Sequence, residues 1–238
     1  MRRTLIALAC SIAALSGLPS QACAQDAPAI PEPMVFDMVR PLGARKGELE
    51  ANSLVQWNLS GPDRTVEWAP EVEYAVADGF AVEVELPFEN ARLTDLKLGL
   101  QGTLGTFADG RAVHGVQYLG LYNRDSTRLE STLLYLLGYR FNERWSMMAM
   151  AGIGDVTFGG PDHSKLIVNH STFYDLSAAT TLGMEVNLER GGERRTLIMP
   201  QLHQDMGGSV SLQAGLGAVR EEHETWRPRA AVRLVKEF

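Results

Sequence analysis

The chain has 238 residues, enough for one full-sized domain. Its formal net charge of −7, from 22 Lys and Arg against 29 Asp and Glu, argues against a nucleic-acid partner. Both cysteines, Cys10 and Cys23, lie near the start, so a chain cleaved after them has no disulfide, thiol nucleophile or cysteine metal site.

Arg2 and Arg3 form a basic start, and residues 5–18 are apolar but short and rich in small side chains. Ala22-Cys23-Ala24 then supplies an A-x-A site. Together these predict a secretory signal peptide over residues 1–24, cleaved after Ala24. A retained anchor helix needs a longer span. A lipoprotein site at Cys23 lacks the usual leucine in its lead-in, Ser20-Gln21-Ala22. No later run is long and apolar enough for a membrane helix. Residues 25–46 hold four prolines with little alternation and predict an irregular periplasmic lead-in.

From Gly47 to Phe238 the texture changes to segments of roughly ten residues that alternate apolar and polar between short turn clusters. In 66–77, Trp68, Val72, Tyr74 and Val76 oppose Glu67, Glu71 and Glu73. In 80–89, Val82, Val84 and Leu86 oppose Glu83 and Glu85, and in 93–107 Leu96, Leu98, Leu100 and Leu104 oppose Asp95, Lys97, Gln101 and Thr103. The last segment sets Trp226, Ala230, Val232, Leu234 and Phe238 against Arg227, Arg229, Arg233 and Glu237. A period of two sustained so long excludes a helical bundle. Eleven segments are clear: 47–59, 66–77, 80–89, 93–107, 112–123, 127–141, 144–156, 175–189, 194–204, 209–220 and 225–238. Bacterial single-chain barrels have even strand numbers. The turns at 77–79, 142–144 and 205–208, placed on one side, require a further strand near 165–169.

A periplasmic β-sandwich would also alternate. The barrel is favoured by the short turns, by aromatic residues near strand ends (Trp57, Trp68, Tyr139, Phe141, Trp145, Trp226, Phe238), and by a final alternating strand closing on a phenylalanine. The expected fold is therefore all-β, a transmembrane antiparallel up-and-down β-barrel in the outer membrane. It has about twelve strands, with ten as the fallback, and both termini are periplasmic. Outer-membrane lipids are its expected surroundings. Phe238 is its expected insertion signal, read by the barrel-insertion machinery.

The runs GELEANSLVQW, WAPEVEYAVADGFAVEVELPFEN and LTDLKLGLQGTL, with the closing PQLHQDMGGSVSLQAGLGAV and RPRAAVRLVKEF, resemble a family of proteobacterial outer-membrane proteins. The family is described as transporters and is related to the "MetA-pathway of phenol degradation" barrels. The resemblance covers about residues 45–238. It implies passage of small, often aromatic, compounds across the outer membrane, and it supplies no catalytic motif.

With apolar faces toward lipid, the lumen receives Glu48, Glu50, Glu67, Glu71, Glu73, Glu83 and Glu85 from the first three strands. It receives Arg227, Arg229 and Arg233 from the last. Closure sets the first strand beside the last, so an acidic wall meets a basic ladder. That ladder would either select solutes as a charged constriction or pair internally and fill a narrow lumen. None of the histidines (His114, His163, His170, His203, His223) forms a metal-binding or catalytic pair, although Asp162, His163 and His170 share a loop-like stretch. His163-Ser164 and His170-Ser171 are neighbours on a strand, so their side chains diverge, and no G-x-S-x-G exists. The many strand glycines suggest barrel curvature and close side-chain approach rather than phosphate cradles. The sequence thus points to a non-enzymatic channel or transporter for a small solute, with no cofactor and no metal. A structural or binding barrel with a charge-plugged lumen is the alternative, and an outer-membrane lipid-modifying enzyme the third.

Overall fold

A computed structural model describes residues 27–61, 65–156, 164–191 and 194–238. The expected signal peptide and the Asp162-His163 stretch lie outside these residues. Among the described residues there is no helix. The strands are β1 (Leu49–Asn58), β2 (Val66–Ala77), β3 (Phe80–Glu85), the two-residue β4 (Phe88–Glu89) and β5 (Arg92–Leu93), β6 (Asp95–Phe107), β7 (Ala112–Asn123), β8 (Arg128–Arg140), β9 (Trp145–Val156), β10 (Lys165–Ser177), β11 (Thr180–Arg190), β12 (Arg195–Gly207), β13 (Val210–Glu221) and β14 (Arg227–Glu237). Each pairs antiparallel with its neighbours. β1 bonds both β2 and β14, which closes the sheet into a barrel of twelve strands. β4 and β5 are a small hairpin prolonging β3 at the rim, set off from it by Pro87, which has no N–H to give to a ladder.

Twelve strands were expected and twelve are found, with one boundary corrected. The segment 175–189 is not one strand. It is cut by a tight turn at 178–179, and 165–169 is the start of the thirteen-residue β10. This strand hides from an apolar-alternation search because its inner face mixes Ile167, Asn169, Ser171 and Phe173, all buried.

Alternation sorts the side chains as lipid and lumen demand. Val72, Tyr74, Val84, Leu96 and Leu98 are exposed outward, while Glu73, Glu83 and Lys97 between them are buried. Five connections, at 78–79, 108–111, 141–144, 178–179 and 208–209, lie at the end where β1 begins and β14 stops. They are short, which marks the periplasmic end of such barrels. Gly79 (φ +72°) lets the first of them reverse the chain between β2 and β3. Aromatic pairs gather at this rim, with Trp145 on Tyr174 at 4.8 Å and Tyr139 on Phe141 at 4.9 Å. At the opposite rim Trp68 stacks on Phe88 at 4.3 Å.

Residues 27–46 lack strand and helix, but they run inside the barrel rather than ahead of it. Met34, Met38, Val39 and Leu42 are buried there, against inward side chains from opposite walls. The lumen is therefore not polar all round. Leu134, Leu136, Met148, Met150 and Phe173 of β8, β9 and β10 form an apolar half against which Ile30, Met38 and Leu42 pack. Burying that surface under the segment removes it from water. Four inward glycines make the room: a Cβ on Gly99, Gly115, Gly138 or Gly215 would meet Val39, Leu42, Ile30 or Met34 respectively. Gly99→Leu should push Val39 off the wall and destabilise the barrel by about 1–3 kcal/mol. Urea unfolding of detergent-solubilised protein measures this.

Candidate functional site

The site is the lumen, built from one charged wall and the segment lying on it. The antiparallel registers set Glu50 opposite Glu73, Glu71 opposite Glu85, and Glu73 opposite Glu83. Like charges directly across a ladder repel, so this wall needs cations. Three residues supply them, from three directions.

Arg233 of β14 reaches across β1. Its Nη2 lies 2.8 Å from Glu71, 3.2 Å from Glu73 and 3.9 Å from Glu50, and its Nη1 lies 3.4 Å from Glu32. Its Nε donates to Asn52 Oδ1 at 3.0 Å. Arg40, on the inserted segment, places Nη1 2.8 Å from Glu50 and Nη2 3.3 Å from Glu48. Lys97 of β6 pairs with Asp37 and Glu85 and lies 3.1 Å from Glu83. Glu32 lies on the segment rather than on a spanning strand. Burial pushes its carboxyl up to about 8, reinforced by Glu50 and opposed by Arg233 and Arg40.

Of the residues singled out in the sequence, Glu50, Glu71, Glu73, Glu83, Glu85 and Arg233 meet in this network, and Glu48 stands at its periplasmic mouth. Arg229 is a separate group higher on the same wall. It pairs with Glu67 and donates to Gln56 and Asn58 at 3.2 and 3.1 Å. Arg227 does not join either group. It begins β14 opposite Val219 and pairs with Glu224, at 2.6 Å, in the turn that precedes the strand. Sequence reasoning missed Glu32, Asp37 and Arg40 through the placement of their segment. Its one available signal was the run of apolar residues, 34–36, 38–39 and 42, in a stretch read as an irregular periplasmic lead-in.

The segment is tied on all sides. Arg140 Nε donates to the Ala29 carbonyl at 2.7 Å near the periplasmic rim. At the apex the N–H groups of Met34, Val35 and Phe36 all donate to the Glu185 carboxylate, at 3.0, 3.0 and 2.6 Å. The returning limb donates Val39 N–H to Gln117 Oε1 at 3.0 Å and Gly43 N–H to Thr103 Oγ1 at 2.9 Å. The segment thus enters and leaves by the periplasmic end. Glu185→Ala should free its apex, since hydrogen bonds to a charged acceptor contribute about 1.5–3 kcal/mol each. Hydrogen exchange at residues 34–36 should then accelerate, with the β-ladder amides unchanged.

Cavities lie on both sides of the segment. One of about 480 Å³ opens toward the outer rim, between Phe36, Asp37, Gln56, Glu67, Glu89 and Lys97. Two of about 370 and 310 Å³ flank residues 27–31 and 40–45 at the periplasmic end. The remaining candidates are scattered. His170 is exposed and contacts Thr172 Oγ1 at 3.0 Å, while Ser171 is buried on the other face. Phe238 is exposed at the rim, with its N–H on the Leu49 carbonyl at 2.9 Å.

An outer-membrane channel from Pseudomonas putida F1 superposes with a TM-score of 0.65 at 15% identity, over 85% of this chain and 100% of that one. The fold is that of an outer-membrane β-barrel. The KdgM porin, solved in complex with disordered oligogalacturonate, gives 0.60 at 9% identity over 80% of this barrel chain and 99% of its own. The NanC porin gives 0.61 at 8% identity, over 78% and 98%. These neighbours are described as channels and porins, none as an enzyme. A family described as HAEPLYID-like matches residues 29–102, which span the inserted segment and the acidic wall. Comparison with curated proteins gives no match.

Proposed function

We propose that the protein resides in the outer membrane as a passive channel for small solutes, occluded in this conformation by residues 27–46. The observation that carries this reading is the segment itself. A closed barrel whose lumen admits a folded-back strand of chain, with cavities above and below it, has the bore for a solute once the chain moves. The likeness to channels and porins supports the same reading. The two-sided lumen favours a small apolar or aromatic solute with a polar group. Leu134, Leu136, Met148, Met150 and Phe173 offer one surface and the Arg233 network the other. The resemblance to phenol-degradation transporters points the same way.

The alternative is a structural or binding barrel whose charges plug it permanently, favoured by the fact that Arg40, Lys97, Arg229 and Arg233 are all paired. Insertion through the C-terminal strand, with Phe238 as its signal, accompanies either reading. Planar-bilayer recording and liposome swelling with the exported, folded protein decide between them. Discrete openings, altered by Arg229→Ala or Arg233→Ala, support the channel. Silence in both assays from a barrel that still shows heat-modifiable gel mobility supports the plugged structure.

A further inference from the structure

We propose that Asp37, Glu71, Glu83 and Glu85 bind one divalent cation of the calcium type, joining the inserted segment to the β2–β3 wall. One carboxylate oxygen from each lies within 4.8 Å of the others, and the three glutamates are buried or nearly so. Three independent observations direct this cluster at a cation rather than leaving it as an acidic patch.

The first is the register. Glu71 faces Glu85 and Glu73 faces Glu83 on successive inward rungs of one ladder, an arrangement that repels unless something positive sits between. The second is Glu83. It is fully buried, its Oε2 has no hydrogen-bond partner among the described residues, and its Oε1 meets only the Lys97 ammonium, at 3.1 Å. A buried carboxylate oxygen left without a donor is costly. The third is the shortage of positive charge. Lys97 is shared among Asp37, Glu83 and Glu85, and Arg233 is shared among Glu71, Glu73, Glu50 and Glu32. Even with one full charge from each of these bases, the four carboxylates of the cluster retain two negative charges, which one divalent ion neutralises.

The donor set selects the ion. Four carboxylates without sulfur or imidazole suit a hard cation. Calcium, with six to eight oxygen ligands and adaptable geometry, suits carboxylates drawn from both a wall and an irregular segment. Lys97 now pairs with Asp37, Glu83 and Glu85, so its ammonium must withdraw from these oxygens for the ion to take them over. Because Asp37 comes from the segment and the glutamates from the wall, the ion would act as a removable clasp on the segment.

The test is direct binding, and it does not depend on conduction. Folded barrel in detergent, stripped with a chelator, is titrated with calcium ion alone by calorimetry, with metal analysis for stoichiometry. One ion per chain is expected, and Glu83→Gln and Asp37→Asn should each weaken it at least tenfold. Glu143→Gln, in an exposed periplasmic turn, should leave it unchanged. Heat-modifiable gel mobility confirms that each variant is folded, and Asp37→Asn leaves the barrel ladder intact should Glu83→Gln fail to insert. No calcium binding at millimolar concentration overturns the proposal, as does binding of unchanged affinity in both variants. Weakening by Glu83→Gln but not by Asp37→Asn overturns the clasp on the segment.

Discussion

Deleting residues 27–46 should raise single-channel conductance on the order of tenfold or more, because it removes the chain that fills the lumen between the cavities. The segment lies between the outer and periplasmic cavities. Its removal also takes away Arg40 and Asp37, which leaves Glu50 and Glu73 dependent on Arg233 alone. The conducting barrel should therefore favour cations, seen as a shifted reversal potential under a salt gradient. It should also unfold at lower urea, since the apolar half of the lumen loses its cover. A deleted chain that inserts yet conducts no better than the full one would show that occlusion lies elsewhere and would remove the main support for a gated channel.

Arg233→Ala should destabilise the barrel by about 3–5 kcal/mol, the range for breaking a buried ion pair by removing one partner. Its side chain is 4% exposed and it serves four carboxylates, so its loss strands several buried negative charges at once. Arg227→Ala is the internal control. Its partner Glu224 is part-exposed, so the expected loss is about 0–1 kcal/mol. Arg233→Lys should fall between, because an ammonium retains the charge but not the fork that reaches Glu71, Glu73 and Asn52 together. Urea unfolding in micelles, read by gel mobility and tryptophan fluorescence, ranks the three. Equal losses for Arg233→Ala and Arg227→Ala would mean that the wall is not held by this network.

The same network shows where reading a sequence stops. That Glu71 and Glu73 face inward, and that Val72 and Tyr74 face lipid, follows from alternation alone, since a strand has a period of two. That Arg233 lies beside β1 follows from closure, since a barrel has no edge. That Arg227 pairs outside the network does not follow. It depends on where β14 begins and which turn residue lies beside it, a local matter that alternation cannot locate. The apolar half of the lumen was partly legible: β8 and β9, LESTLLYLLGY and WSMMAMAGIG, carry apolar residues on both faces, more than a water-filled pore requires.

The sequence by itself thus determined the barrel, its strand count, its lipid-facing belt and the sign of its inner wall, because each is set by short-range periodicity and the demands of lipid. Only the tertiary structure decided what fills the lumen. Residues 27–46 have no periodic pattern, and their place depends on distant partners: Gly99, Gly115, Gly138 and Gly215 that make room for them, and Glu185 and Gln117 that take their N–H groups. Contacts between residues up to 201 positions apart leave no local trace in the chain, so a segment that reads as an irregular lead-in is the filling of the barrel.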